Sequence, residues 1–171
     1  MRGTILVAVV SVLFGSIACA EAPQMAKAQL RNAKGETVGN ATLTEIPEGV
    51  QIDVSVFNLP PGRHGFHIHT VGKCEPPDFK SAGGHLNPHG KKHGMKNPEG
   101  AHTGDLPNLE VGPDGTGRAA FVAKEATLGP SAYSLFQPDG TSLVIHADPD
   151  DEVTDPAGNA GARIACGMIT P

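Results

Sequence analysis

The sequence predicts an all-β, single-domain fold, an antiparallel β-sandwich or flattened barrel of about eight short strands, and three observations carry that expectation. Glycine and proline number 22 and 15, and they interrupt the chain too often for helices of useful length. Several segments alternate between apolar and polar side chains, the mark of a strand with one buried and one wet face. Aromatic residues are scarce at 4%, tryptophan is absent, and no repeat or second domain is visible.

The elements follow in chain order. Residues 27–31 and 38–46 read as strands around an Asn-Ala-Lys-Gly-Glu turn, and residues 50–59 set Val50, Ile52, Val54 and Val56 against Gln51, Asp53 and Ser55. Pro60-Pro61-Gly62 turns the chain into a further strand over residues 65–69. From Thr70 to about Gly104 no periodicity survives. A stretch of that length in a compact domain is either disordered or functional and tied down by something other than a core. Strands resume over residues 109–111, 118–123 after Asp114-Gly115-Thr116-Gly117, 143–146 after Pro138-Asp139-Gly140, and 161–169, with residues 149–159 reading as a second loop.

The amino terminus has the make-up of an export signal. Arg2 gives a positive start, residues 5–14 form an apolar run too short to span a bilayer, and Ala18-Cys19-Ala20 supplies small residues for cleavage. Residues 1–20 are therefore expected to be a secretory signal peptide and residues 21–171 the domain, in a periplasmic location. Cys19 leaves an alternative open, since a cysteine there can become the lipidated first residue of a membrane-anchored bacterial lipoprotein. Export to an oxidising compartment leaves Cys74 and Cys166, which can pair in only one way within the chain. Their disulfide would close a loop of about 93 residues, worth on the order of 4 to 5 kcal/mol in the chain-entropy model.

Thirteen Lys plus Arg against 18 Asp plus Glu give a net charge of −5, with no basic run longer than Lys91-Lys92, which argues against nucleic acid as a partner. Net charge does not exclude an anionic substrate, because bound cations and one arginine can focus positive potential in a single cleft.

Histidine is the most informative residue type. His67 and His69 form an H-x-H pair, and the two-residue period of a strand puts both rings on one face. His146, at the end of another expected strand, can add a third imidazole. Such a site suits copper, zinc, nickel or iron, and spacing alone does not choose among them. The long loop carries a second group, His85, His93 and His102 with Asp105. Three imidazoles and one carboxylate complete a tetrahedral zinc sphere, and a metal held there explains how so long a loop could be ordered. His64 and His89 lack such placement and read as solvated side chains.

From about residue 35 to the carboxyl terminus the chain resembles the Cu,Zn superoxide dismutases. The resemblance is carried by Gly65-Phe66-His67-Ile68-His69, Ser81-Ala82-Gly83-Gly84-His85-Leu86-Asn87-Pro88, Lys92-His93-Gly94, His102-Thr103-Gly104-Asp105-Leu106, Leu143-Val144-Ile145-His146, and Gly158-Asn159-Ala160-Gly161-Ala162-Arg163-Ile164-Ala165-Cys166-Gly167. It implies a Greek-key sandwich with a long metal-binding, disulfide-anchored loop, an architecture for which this family is itself a standard example. It implies copper on His67, His69, His85 and His146, and zinc on His85, His93, His102 and Asp105, with His85 shared. Arg163 matches the arginine that docks the anion beside copper, and Cys74 with Cys166 matches the family disulfide. Asp150 falls where an aspartate joins a copper histidine to a zinc histidine.

The implied reaction is dismutation of superoxide to O2 and H2O2 by alternating reduction and reoxidation of copper, with zinc organising the loop. Eleven residues from Cys74 to His85 and a short loop after His146 resemble the bacterial periplasmic branch and leave monomer and homodimer both open. Two other classes remain at this level: a periplasmic copper/zinc carrier without turnover, which needs no anion-docking arginine, and a purely structural sandwich, which needs none of the histidines. For Arg163 the competing role is a surface salt bridge to Asp150, Asp151 or Glu152.

Overall fold

A computed structural model describes residues 24–171, so the expected signal segment and Cys19 lie outside the described residues. Nine strands and one short 3-10 turn make up the described chain. They are β1 (Met25–Asn32), β2 (Thr37–Ile46), β3 (Gly49–Val56), β4 (Gly62–His64), β5 (Phe66–His69), the turn at Lys80–Ala82, β6 (Leu109–Val111), β7 (Gly117–Lys124), β8 (Ser142–His146) and β9 (Arg163–Met168). Seven strands form one curled antiparallel sheet in the order β5-β8-β9-β1-β2-β3-β7, and β4 pairs with β6 in a ribbon whose β6 lies beside β7.

β4 and β5 are two halves of one bent segment. Only Gly65 separates them, and they pair with different partners, β6 and β8. The bend carries the chain from the ribbon to the edge of the large sheet, which reconciles nine observed strands with the roughly eight expected. A β-carbon at Gly65 would lie 2.7 Å from the Ala160 side chain and 3.2 Å from the His67 ring, so the corner requires glycine.

The alternation read from the sequence is the alternation of burial. Ala26, Ala28 and Leu30 of β1, Leu43 of β2, and Val50, Ile52, Val54 and Val56 of β3 all point into one core with Phe66, Ile68, Leu143 and Ile145. The outer face of β1, β2 and β3 is wet. The outer face of β8 and β9 is covered instead, because Val144 and Cys166 pack there with Phe79 and Ala82 of the long loop. That small cluster surrounds the Cys74–Cys166 disulfide, whose Cα atoms are 5.5 Å apart across a sequence separation of 92.

β5 is an edge strand, and an unpaired edge is a liability unless something covers it. The long loop does so. Ile68 N–H donates to the Gly104 carbonyl at 2.9 Å, Leu86 N–H to the Ile68 carbonyl at 2.8 Å, and Gly104 N–H to the Leu86 carbonyl at 2.8 Å. Both ends of the stretch 85–105 are thereby laced to the strand that carries the H-x-H pair, and every residue of β5 is buried.

Candidate metal centre

Phe66 and Ile68 of β5 face the core, so the strand's period sends His67 and His69 to the opposite face, under the loop. β8 lies next to β5 and ends at His146, whose N–H donates to the Gly65 carbonyl at 2.8 Å. The loop's return along the edge of β5 sets His85 opposite His69 and Asp105 opposite His67. Three local features thus bring His67, His69, His85 and His146 together, with one ring nitrogen of each within 4.8 Å of the others and all four residues buried.

The hydrogen bonds of these rings show what the cluster is for. His67 Nε2 lies 2.6 Å from Asp150 Oδ2, His69 Nδ1 lies 2.9 Å from the Gly83 carbonyl, and His146 Nδ1 lies 3.3 Å from the Gly161 carbonyl. Each partner is an oxygen that can only accept, so each of those nitrogens carries the proton and the other nitrogen presents a lone pair. The other nitrogens are His67 Nδ1, His69 Nε2 and His146 Nε2, and with His85 Nε2 they are buried without any hydrogen-bond partner. A buried unpaired polar atom costs roughly 1–3 kcal/mol, and four in one spot make no sense as core packing. They fit a soft or borderline cation taking four imidazoles, the donor set copper accepts.

The opposite nitrogen of His85 belongs to a second set. Asp105 Oδ1 lies 2.9 Å from His85 Nδ1, 2.9 Å from His93 Nδ1 and 3.2 Å from His102 Nδ1. Donors about 2.0 Å from one tetrahedral cation stand roughly 3.3 Å apart, so these four atoms already approximate the corners that zinc requires. The second carboxylate oxygen is held by the Gly94 and His102 N–H groups at 2.8 and 3.0 Å. Burial pushes the Asp105 carboxyl up, but the nearby His102 ring and the hydrogen bonds from His85, His93 and Gly94 outweigh it and keep the group ionised far below the usual carboxylate range.

The imidazoles of the two sets differ in electrostatics. Burial, and then the neighbouring His85, lower His69 to about 2; burial and the neighbouring His67 lower His146 to about 3. Burial likewise dominates at His85, lowered to about 4 against the pull of Asp105. These rings are neutral at any physiological pH, which is the form that binds metal. His93 is the exception: burial is overridden by the Asp105 and Asp150 carboxylates, which raise it to about 9. A cation bound at His93 Nδ1 would take the place of that proton.

Asp150 joins the two sets. Its Oδ2 faces His67 Nε2 at 2.6 Å and its Oδ1 faces His93 Nε2 at 3.0 Å, so one carboxylate fixes the tautomer of a ring from each set. The sequence offered no signal for the residue that holds it: Asn108 accepts from the Asp150 N–H at 2.7 Å and donates to its carbonyl at 2.9 Å. Gly158 closes the far side at φ 62°, where a β-carbon would overlap the Asp150 carboxylate and come 2.7 Å from His93 Nε2. Asp150→Asn is therefore expected to weaken both metals about 10- to 100-fold in competition with a chelator, and Gly158→Ala to act in the same direction.

Arg163 opens β9 beside His146 and lines a cavity of about 370 Å³ with His69, His85, His146, Lys91 and Asp155. Its Nη1 donates to the Phe79 carbonyl at 2.7 Å and its Nη2 to the Gly83 carbonyl at 2.6 Å. The guanidinium is anchored by neutral acceptors, and the salt bridge to Asp150, Asp151 or Glu152 considered from sequence is not formed. Its charge stays available to the cavity.

His64 corrects the sequence reading. It is not solvated: it is 2% exposed, with Nδ1 2.8 Å from the His146 carbonyl and Nε2 2.9 Å from the Pro60 carbonyl. The unforeseen strand β4 places its ring under the backbone of His146, where it braces a residue of the first set. His89 does lie at the surface, stacked on Tyr133 and paired with Glu125 at 3.0 Å.

A curled antiparallel sheet that laces one loop to its edge and gathers two imidazole-rich sets sharing one ring defines a two-metal protein. Comparison with known proteins agrees with that class: the copper/zinc superoxide dismutase (SODC) family matches residues 37–169. Superoxide dismutase [Cu-Zn] 1 of Aquifex aeolicus is 51% identical over 144 residues, covering 83% of this chain and 85% of the relative. Superoxide dismutase [Cu-Zn] of Escherichia coli is 40% identical over 147 residues, covering 79% and 80%. Among solved structures, a SOD-like protein from Bacillus subtilis superposes with a TM-score of 0.80 at 45% identity, covering 83% of this chain and 96% of that one. Cu/Zn superoxide dismutase from Brucella abortus superposes with a TM-score of 0.68 at 31% identity, covering 85% and 99%.

The chain belongs to the copper/zinc superoxide dismutase family. It is an oxidoreductase acting on superoxide, with copper and zinc as its cofactors. Among the described residues no helix is long and apolar enough to cross a membrane.

Proposed function

We propose that His67, His69, His85 and His146 hold the copper, that His85, His93, His102 and Asp105 hold the zinc, and that Arg163 docks superoxide at the copper side. The observation that carries this assignment is the set of four buried, unpartnered ring nitrogens, one of them on the ring whose other nitrogen faces Asp105. Copper supplies the reversible one-electron chemistry that dismutation needs, and zinc, which has no redox chemistry, supplies fixed positive charge. His85 Nε2 would be a copper ligand, and the same nitrogen can hold a proton, which suits a reaction that must deliver protons to make H2O2. Its Nδ1, which faces Asp105 at 2.9 Å, would be held by the zinc, so the ring would keep its orientation whichever role Nε2 plays.

Arg163 binds and orients the small anion. Its planar fork stays charged at every working pH, and the carbonyls of Phe79 and Gly83 keep it from collapsing onto an acid. Asp150 and Asn108 hold the tautomers of His67 and His93. Arg163→Ala is expected to lower kcat/KM by about 10-fold or more and to flatten its dependence on ionic strength, with both metals still bound. Unchanged kinetics in that variant would take Arg163 out of the reaction. No observation favours the carrier reading, and the anchored, unneutralised arginine speaks against it.

Residues 1–20 act in this proposal as an export signal and residues 21–171 as the enzyme, working in the periplasm against superoxide arising outside the cytoplasm. The composition of residues 1–20 and the bacterial sources of the relatives support it. The amino-terminal mass of the protein recovered from its native cell fraction tests it. A chain beginning at Glu21 means release, a lipidated Cys19 means anchoring, and an intact Met1 in the cytoplasm contradicts export.

A further inference from the structure

The Cys74–Cys166 disulfide is not sealed from solvent. A groove of about 410 Å³ opens beside it, walled by both cysteines with Gln29, Arg31, Phe79 and Met168. Cys166 is 1% exposed while Cys74 is only partly buried, so Cys74 is the more accessible half of the bridge. Arg31 stands directly across from Cys166 in the β1–β9 pairing, on the outer face of β1. Its guanidinium donates to the Gly35 carbonyl at 2.8 Å and to the side-chain oxygen of Gln29, both of them neutral acceptors. The acids nearby in sequence are engaged elsewhere or set apart. Glu36 accepts from Asn32 at 2.7 Å, Asp78 pairs with Lys80 at 2.8 Å, and Glu75 does not line the groove. Among the described residues Arg31 forms no salt bridge, so a tethered cation held only by neutral acceptors sits at the rim of a groove whose wall is a disulfide.

We propose that this groove binds small anionic thiols, which Arg31 draws to the disulfide and which open it by exchange. The thiolate attacks the Cys74 sulfur, forming a mixed disulfide and expelling Cys166 as a thiolate. A second thiolate attacks the small molecule's sulfur in that mixed disulfide and releases Cys74. Two thiols leave as one small disulfide, and their two protons end on the two cysteines. A cation next to a departing thiolate stabilises it and speeds its loss. The consequence reaches the metal centre, because the loop freed from β9 carries the Phe79 and Gly83 carbonyls that hold Arg163. That consequence rests on the role proposed for Arg163; the exchange itself does not.

The test uses the metal-loaded protein and two thiols, 2-mercaptoethanesulfonate and neutral 2-mercaptoethanol. Their second-order rates of disulfide opening are read by alkylation of the freed cysteines and mass spectrometry, corrected for thiolate fraction. The wild type is expected to prefer the anionic thiol by about five-fold at low salt, a preference lost in 1 M salt. Arg31→Gln loses it and Arg31→Lys keeps it. The ratio of the two rates is the readout, since a general loosening of the loop accelerates both thiols alike. No preference in the wild type, or an equal preference in Arg31→Gln, overturns the proposal.

Discussion

His85→Ala is expected to bring dismutation down to the level of the metal-free protein and to weaken zinc as well as copper. His85 is the one ring that belongs both to the four-histidine set and to the set around Asp105. Nε2 is among the four buried unpartnered atoms, while Nδ1 faces Asp105 at 2.9 Å with His93 and His102 around it. Alanine removes a donor from each set at once and leaves the remaining lone pairs of His67, His69 and His146 without their fourth corner. The barrel itself should survive, because His85 lies outside the core built from β1, β2, β3 and β8. Far-ultraviolet circular dichroism like that of the wild type, with zinc and copper both lost more readily to a chelator, is the predicted pattern. Retention of tight zinc by the variant would mean that the two sets do not share this ring.

The other large effect is on stability. Apart from Leu86 and Leu106 at its ends, the stretch 85–106 contributes little to the core, and Gly94 packs against the backbone of Glu152 where no side chain fits. A loop so poor in apolar contacts owes its order to its ligands. Structural zinc is worth on the order of 10 kcal/mol at neutral pH, so chelation should lower the melting temperature by about 20 °C or more. Hydrogen exchange should locate the loosening in the long loop while β1, β2 and β3 stay protected.

The metal-free protein should also depend on pH in a way the loaded protein does not. His69, His146 and His85 are held at about 2, about 3 and about 4, below the ordinary value of 6.5. The unfolded chain therefore binds protons that the folded chain refuses, and each ring costs stability as pH falls below 6.5 towards those values. His93, raised to about 9, has the opposite sign: its contribution is full below 6.5 and is lost as pH rises through about 9. Stability of the metal-free form should peak near pH 7 and fall by roughly 3 kcal/mol by pH 5.5. Urea titrations from pH 5 to 9 check it; a metal-free form as insensitive to pH as the loaded one contradicts the burial of these rings.

Much of this is legible in the sequence itself. Val50, Ile52, Val54 and Val56 alternate in the sequence because they alternate between core and water, and the H-x-H pair lies on one face for the same reason. The long segment without periodicity had to be held by something other than a core, and its histidines named the means. What stayed hidden depends on long-range register. β4 is only three residues long and exists because β6 returns beside it, so neither it nor the burial of His64 can be seen locally. Asn108 looks like any loop asparagine until the second loop brings Asp150 against both ends of its amide. Arg163 invited pairing with the acids near it in sequence, yet the disulfide-anchored loop supplies two carbonyls instead.

The most direct test of the account is superoxide dismutation by the purified protein loaded with copper and zinc, run beside a His69→Ala variant with the metal content of both determined. His69 belongs to the copper set alone, so the account predicts rapid copper-dependent turnover in the wild type. The variant should keep its zinc and lose both copper and activity. Full occupancy of both sites in the wild type without turnover would contradict it, as would a His69→Ala variant that gives up zinc while its copper and activity remain.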